Sequence, residues 1–161
     1  MGLAKMFDYD NLHVACDGGA HDNEERNKHG FALSSYPLYC DKHKGIDLLP
    51  LSPLEPRVET RFKYVDIGLD EVGVYPNTGT DQNTIDTIRI LNLDTPKLKN
   101  LRGQAVAGLI YENGSEGDYV SIEVAQSLLA KYESFTTDST GGYLPEFLSV
   151  KIYFLRFIMS R

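Results

Sequence analysis

All four histidines and both cysteines of the chain fall between His13 and His43. Four of them form two short pairs, His13-Val14-Ala15-Cys16 and Cys40-Asp41-Lys42-His43. The chemistry open to such a set is metal binding. Zinc takes four nitrogen and sulfur ligands in a tetrahedron, and ligand pairs separated by two residues suit it because a tight turn points both side chains at one ion. The two pairs have that spacing in mirrored order, and Gly18-Gly19 and Gly45 follow them as turn-forming residues. His13, Cys16, Cys40 and His43 are therefore the expected ligands of a zinc ion, with His21 and His29 as spare donors. The competing explanation is structural: a cysteine as a small buried apolar residue, and histidines as polar surface groups.

Catalytic readings of the same stretch are less favoured by their surroundings. A cysteine nucleophile needs an electropositive setting, whereas Asp17, Asp22, Glu24 and Glu25 disfavour a thiolate here. Asp17, His21 and Asp22 around a divalent ion would make a metal-dependent hydrolase or nuclease. Elsewhere, Asp66, Asp70 and Glu71 form an acidic corner, most simply a solvated one. Asp81, Asn83 and Asp86 lack the glycine and distal glutamate of a calcium loop. The loop Thr136 to Gly142 lacks the lysine of a phosphate-binding P-loop.

The stretches Cys16-Asp17-Gly18-Gly19-Ala20-His21 and Cys40-Asp41-Lys42-His43 resemble the signature of the CDGSH iron–sulfur proteins. Their Cys-to-His spacings are one residue too long and one too short. With no Cys-x-Cys pair upstream, too few thiolates remain for that cluster. Asp17-Gly18-Gly19-Ala20 is similar to a stretch of the thiamine pyrophosphokinases, without the acidic motifs that should follow it. Neither resemblance assigns the chain to a family.

The elements that must position these residues are read from periodicity. Residues 1–57 read as an irregular N-terminal arm, with Pro50, Pro53 and Pro56 favouring extended backbone. Residues 58–161 read as a β-rich core. Alternation over Thr60 to Ile67 predicts a strand, and Glu71 to Tyr75 a second after a tight corner. Thr84 to Leu93 reads as a third strand, Gln104 to Tyr111 as a central fourth, and Phe147 to Met159 as a long strand apolar on both faces. One helix is expected over residues 121–135. Ser121 is its N-cap, and Ile122, Ala125, Leu128, Leu129, Tyr132 and Phe135 form one apolar stripe. The expected fold is α+β, a mostly antiparallel sheet of about five to six strands with one packed helix, in a single domain over residues 1–161. A mainly-β sandwich or barrel with one helix is the alternative.

Sixteen basic and 23 acidic residues give a formal charge of −7, which argues against general binding to nucleic acid. The only local basic group, Lys97, Lys99 and Arg102, lies in what reads as a connector. The first residues lack the apolar core of a signal peptide, and the run Val150 to Met159 is broken by Lys151 and Arg156, so no membrane insertion is expected. The expected setting is the cytoplasm or a virion, with reduced thiols. Ten tyrosines in a β-rich chain favour a role at interfaces. The sequence thus favours a non-enzymatic protein that binds other protein chains. It would be an oligomeric or larger assembly subunit, such as a component of a virion, or an acidic inhibitor. The rival reading is the metal-dependent hydrolase or nuclease with its site in residues 13–43.

Overall fold

The structure, a computed structural model, describes residues 18–28, 37–113, 120–137 and 146–160. Along the chain these form α1 (Ala20–Lys28), α2 (Cys40–Lys44), a 3-10 turn (Val58–Arg61), β1 (Phe62–Gly68), β2 (Glu71–Pro76), α3 (Gln82–Ile90), α4 (Pro96–Asn113), α5 (Ile122–Thr137) and α6 (Leu148–Met159). Among the described residues the fold is therefore mainly helical with one two-stranded antiparallel hairpin, which overturns the expected sheet of five to six strands with one helix. The mainly-β alternative falls with it.

Three expected strands are helices, each for a local reason. In α3 the β-branched residues Thr84, Ile85, Thr87, Ile88 and Ile90 imitate strand alternation. The buried positions, however, are Thr84 and Thr87, three apart on one helix face. Both hydroxyls are satisfied inside the helix: Thr84 Oγ1 donates to Asp81 at 2.7 Å, and Thr87 Oγ1 donates to the Asn83 carbonyl at 2.8 Å. Asp81 also accepts from the Thr84 N–H at 3.2 Å and so acts as the N-cap. In α4 the apolar run Gln104 to Tyr111 is the middle of an 18-residue helix. It opens on Pro96, a residue suited to the first helical position, and carries the good helix formers Ala105 and Ala107. In α6, Leu148, Ile152, Leu155 and Ile158 recur at spacings of three and four, and all pack on one core. Burial there overrides the strand preference of Val150, Ile152 and Tyr153. The expected helix near residues 121–135 is present as α5, and the Ser121 hydroxyl caps it by accepting from the Val124 N–H at 3.3 Å.

The chain divides into two compact units. The first comprises residues 1–62 and 74–97 and contains α1, α2, the 3-10 turn and α3. Its buried side chains include Tyr39, Leu51, Val74, Thr84 and Thr87. Asp94 accepts from the Val74 N–H at 3.3 Å, and Arg61 pairs with Asp81 at 3.6 Å.

The second unit comprises residues 63–73 and 98–161. Leu109, Val120, Ala125, Tyr132 and Leu155 form its core, with α5 lying along α6. Arg156 of α6 donates to Glu133 of α5 at 2.7 Å. The even-numbered face of β1 is tied to α6. Tyr64 Oη lies 3.2 Å from Ser149 Oγ, and its ring meets Tyr153 edge-on at 5.5 Å. Gly103 of α4 sits where any Cβ would overlap the Asp70 carbonyl oxygen, so the hairpin turn fits only against a glycine. The turn itself, Leu69-Asp70, holds both residues at positive φ, 54° and 57°. A two-residue hairpin of this kind favours Asn-Gly or Asp-Gly, and a leucine there is strained by about 1 kcal/mol.

Candidate functional site

The Cys40–His43 pair occupies a single helical turn, seated on the C-terminal end of α3. The last carbonyls of any helix have no partner inside it. Here the Cys40 N–H donates to the Leu91 carbonyl at 2.8 Å, and His43 Nδ1 donates to the Ile90 carbonyl at 2.9 Å. The first of these bonds comes from backbone and the second from a side chain one helical turn on, so two successive carbonyls are met without the Cys40 thiol. Asn92 Nδ2 returns a bond to the Leu38 carbonyl at 2.8 Å, so the contact is closed from both sides. Cys40 is half-buried with φ at 52°, and His43 is exposed.

The chain just after Cys16 comes to the same place. The Tyr39 N–H donates to the Gly18 carbonyl at 3.1 Å. Gly18 is at φ 63°, and a Cβ there would overlap the Tyr39 carbonyl oxygen and crowd the Lys42 side chain. A glycine is thus required where this strand of chain crosses α2. Tyr39 is buried, and Lys97 Nζ stands 6.0 Å from its ring centroid in a cation–π arrangement.

Of the expected zinc ligands, Cys40 and His43 are brought together, and His13 and Cys16 lie outside the described residues, as do Asp17 and His29. Among the described residues no three His, Cys, Asp or Glu side chains gather to hold a metal ion. His43 carries its Nδ1 proton toward a backbone carbonyl, which leaves Nε2 as the ring nitrogen able to take a metal. His21 is exposed on α1.

The other candidate clusters have structural assignments. Asp81 caps α3, and its carboxyl is held below the ordinary range first by the Thr84 hydroxyl, with the Thr84 N–H and Arg61 adding to it. Asp86 is lowered by hydrogen bonds from Gln82 and Arg89 on its own helix. Glu123 is lowered by its own backbone N–H and by Ser121, as befits the first turn of α5. Lys99 and Arg102 stand on α4 rather than in a connector, and Arg102 is buried, with Nη1 donating to the Val72 carbonyl at 3.4 Å.

Sequence reasoning missed the exposed aliphatic residues. Ile46 is 99% exposed and Leu48 90%, in the proline-rich segment that follows α2. On the hairpin, Val65 and Ile67 are exposed and Leu69 is 96% exposed. The signal was in the sequence, because Val65, Ile67 and Leu69 alternate with Tyr64, Asp66 and Gly68. Alternation identifies two faces without saying which one is covered. Among the described residues no helix is long and apolar enough to cross a membrane. Comparison with protein-family models, with curated proteins and with solved structures finds no match to this chain.

Proposed function

We propose that this chain works by binding other protein chains, as a non-enzymatic subunit of an assembly or as an acidic inhibitor, in the cytoplasm or a virion. The observation that carries the reading is the exposure of Ile46, Leu48 and Leu69, each at 90% or more. Full burial of one such side chain is worth about 1.5–3 kcal/mol, a gain the isolated chain forgoes at three positions. Isolated surface aliphatics are ordinary, but here Val65 and Ile67 of β1 and Leu69 of its turn are exposed close together in sequence.

The test is hydrogen exchange read by mass spectrometry, on the tagged chain isolated gently with its natural partners and again after purification to a single species. The bound chain should be protected over residues 44–50 or 64–71 and unchanged over α3 and α5. Equal exchange in both preparations overturns the reading.

A second reading is favoured by one specific observation, the orientation of His43. A histidine that ligates a metal through one ring nitrogen commonly donates from the other to a carbonyl, as His43 does to Ile90. On this reading a zinc ion is held by His13, Cys16, Cys40 and His43, and clips the N-terminal arm. Metal analysis of protein purified without chelator decides it. One zinc per chain, lost in both Cys40→Ser and Cys16→Ser, supports the clip, and a metal-free wild type sinks it.

A further inference from the structure

Residues 65–70 are exposed without a break, whereas Val72 opposite them is buried. Among the described residues β1 pairs with β2 alone, which leaves its other edge for a further strand. Tyr64 of β1 is already engaged by α6, whereas Val65 and Ile67 are 38% and 44% exposed and Leu69, in the turn beyond the strand, is 96% exposed.

The charges around this face select what can cover it. Asp66, Asp70 and Glu71 stand along the strand and its turn, outnumber the one cation of the strand, Lys63, and pair with no cation among the described residues. A second copy of the same hairpin would set one net-negative strip against another. Like charges across an interface oppose association, and opposite charges favour it. The tip adds its own argument. Leu69 is a protruding aliphatic side chain held at φ 54°, where asparagine or glycine would be relaxed and no apolar surface would be left in water. A residue that is unfavourable for folding on two counts is the mark of an anchor for a partner.

We propose that β1 and its turn accept an extended, lysine- or arginine-rich aliphatic segment of a partner protein. The segment adds as a strand to the β1 edge, covers Val65, Ile67 and Leu69, and places its cations against Asp66, Asp70 and Glu71. This rests on the protein-binding reading and adds to it the chemistry of the partner.

The probe is a short peptide of alternating lysine and valine, titrated into the isotopically labelled full chain and followed by amide chemical shifts. Its counterpart, with glutamate for lysine, is run alongside. Saturable shifts confined to residues 63–72 are expected with the lysine peptide and none with the glutamate peptide. Affinity should fall about tenfold or more in Leu69→Asn, and likewise in Asp70→Asn/Glu71→Gln. It should fall similarly as salt rises from about 50 to about 300 mM. Leu69→Asn suits the left-handed turn, so it remains folded and keeps the test interpretable. The proposal is overturned by no binding of the lysine peptide, by shifts spread over carboxylates outside the hairpin, by equal binding of the glutamate peptide, or by an unaffected Leu69→Asn. Shifts of residues 63–72 on dilution of the chain alone also overturn it, since they would identify a second copy as the occupant. Protection of residues 64–71 in the native complex together with a silent peptide titration leaves the protein-binding reading standing and removes this one.

Discussion

His43 Nδ1 donates to the carbonyl oxygen of Ile90 at 2.9 Å, across a sequence separation of 47 residues. An imidazole thereby closes the end of a helix to which it does not belong. The net worth of such a bond is about 0.5–1.5 kcal/mol. His43→Ala should lower the stability of the chain by about 1 kcal/mol, whereas His43→Asn, whose amide nitrogen reaches a similar position, should recover part of it. Urea midpoints of the three proteins check this, and identical midpoints would remove the cap from the account.

Two glycines of α4 should respond to alanine in opposite directions. At Gly103 a Cβ overlaps the Asp70 carbonyl oxygen, backbone that cannot step aside without moving the hairpin turn. Gly103→Ala should cost about 3 kcal/mol or more, through overpacking at a rigid contact. At Gly108 nothing lies within 4 Å of the added methyl group. Gly108→Ala should stabilise by about 0.5–1 kcal/mol, because alanine is the better helix former. Thermal unfolding of both variants reads the difference, and a shift in the same direction in both contradicts the placement of α4 against the turn.

Asp81 gives a pH signature with a definite sign. Its carboxyl is held below the ordinary range by the Thr84 hydroxyl, so the folded state binds this proton less readily than the unfolded state. The contribution is present above the ordinary carboxylate pKa of about 4 and is lost as pH falls through the lower folded value. Asp81→Asn keeps an N-cap that does not titrate. Stability measured from neutral to acid pH should therefore fall less steeply below about pH 4 in Asp81→Asn than in the wild type. Parallel curves would count against the cap. Asp81→Ala should lower stability at neutral pH, where Asp81→Asn retains most of it.

Leu155 is fully buried in the core of the second unit, beside Leu109 and Ala125. Leu155→Ala should cost about 2–5 kcal/mol, from lost burial and the cavity left behind. Phe157, on the same helix but exposed, should tolerate alanine with a change within about 1 kcal/mol. Denaturant unfolding of the pair tests which face of α6 is covered.

What was legible in the sequence depended on which signal dominated each segment. The hairpin declared itself through Thr60 to Tyr75, where alternation and a tight corner agree. α5 did so through its Ser121 cap and its stripe from Ile122 to Tyr132. α3 and α6 did not, because isoleucine, valine, threonine and tyrosine fill them. Residues at strand-like alternation and at helical spacing overlap within such short runs, so only the buried subset discriminates, and burial is a tertiary fact. The Asp81 cap three residues before Thr84 was the readable clue to α3. At the candidate site, the Cys40-x2-His43 spacing suggested zinc ligands, whereas the contacts the structure gives this turn are the Cys40 backbone N–H and the His43 ring on the end of α3. The partners found for them, the carbonyls of Ile90 and Leu91, lie in a helix that the sequence had disguised as a strand.

The interleaving of the two units has a consequence for biosynthesis. Residues 1–62 and 74–97, all of the first unit, leave the ribosome before any of the helices α5 and α6 exist. Residues 63–73 leave with them, yet Tyr64 and Asp70 belong against α6 and α4, which are made later. During translation the hairpin is thus a docking strip waiting for its own C-terminal helices, with Tyr64 and Val72 open to solvent and to neighbouring nascent chains. Slowed elongation after residue 97 should lengthen that interval and raise the yield of aggregated chain, and a chaperone that shields nascent apolar strands should counter it.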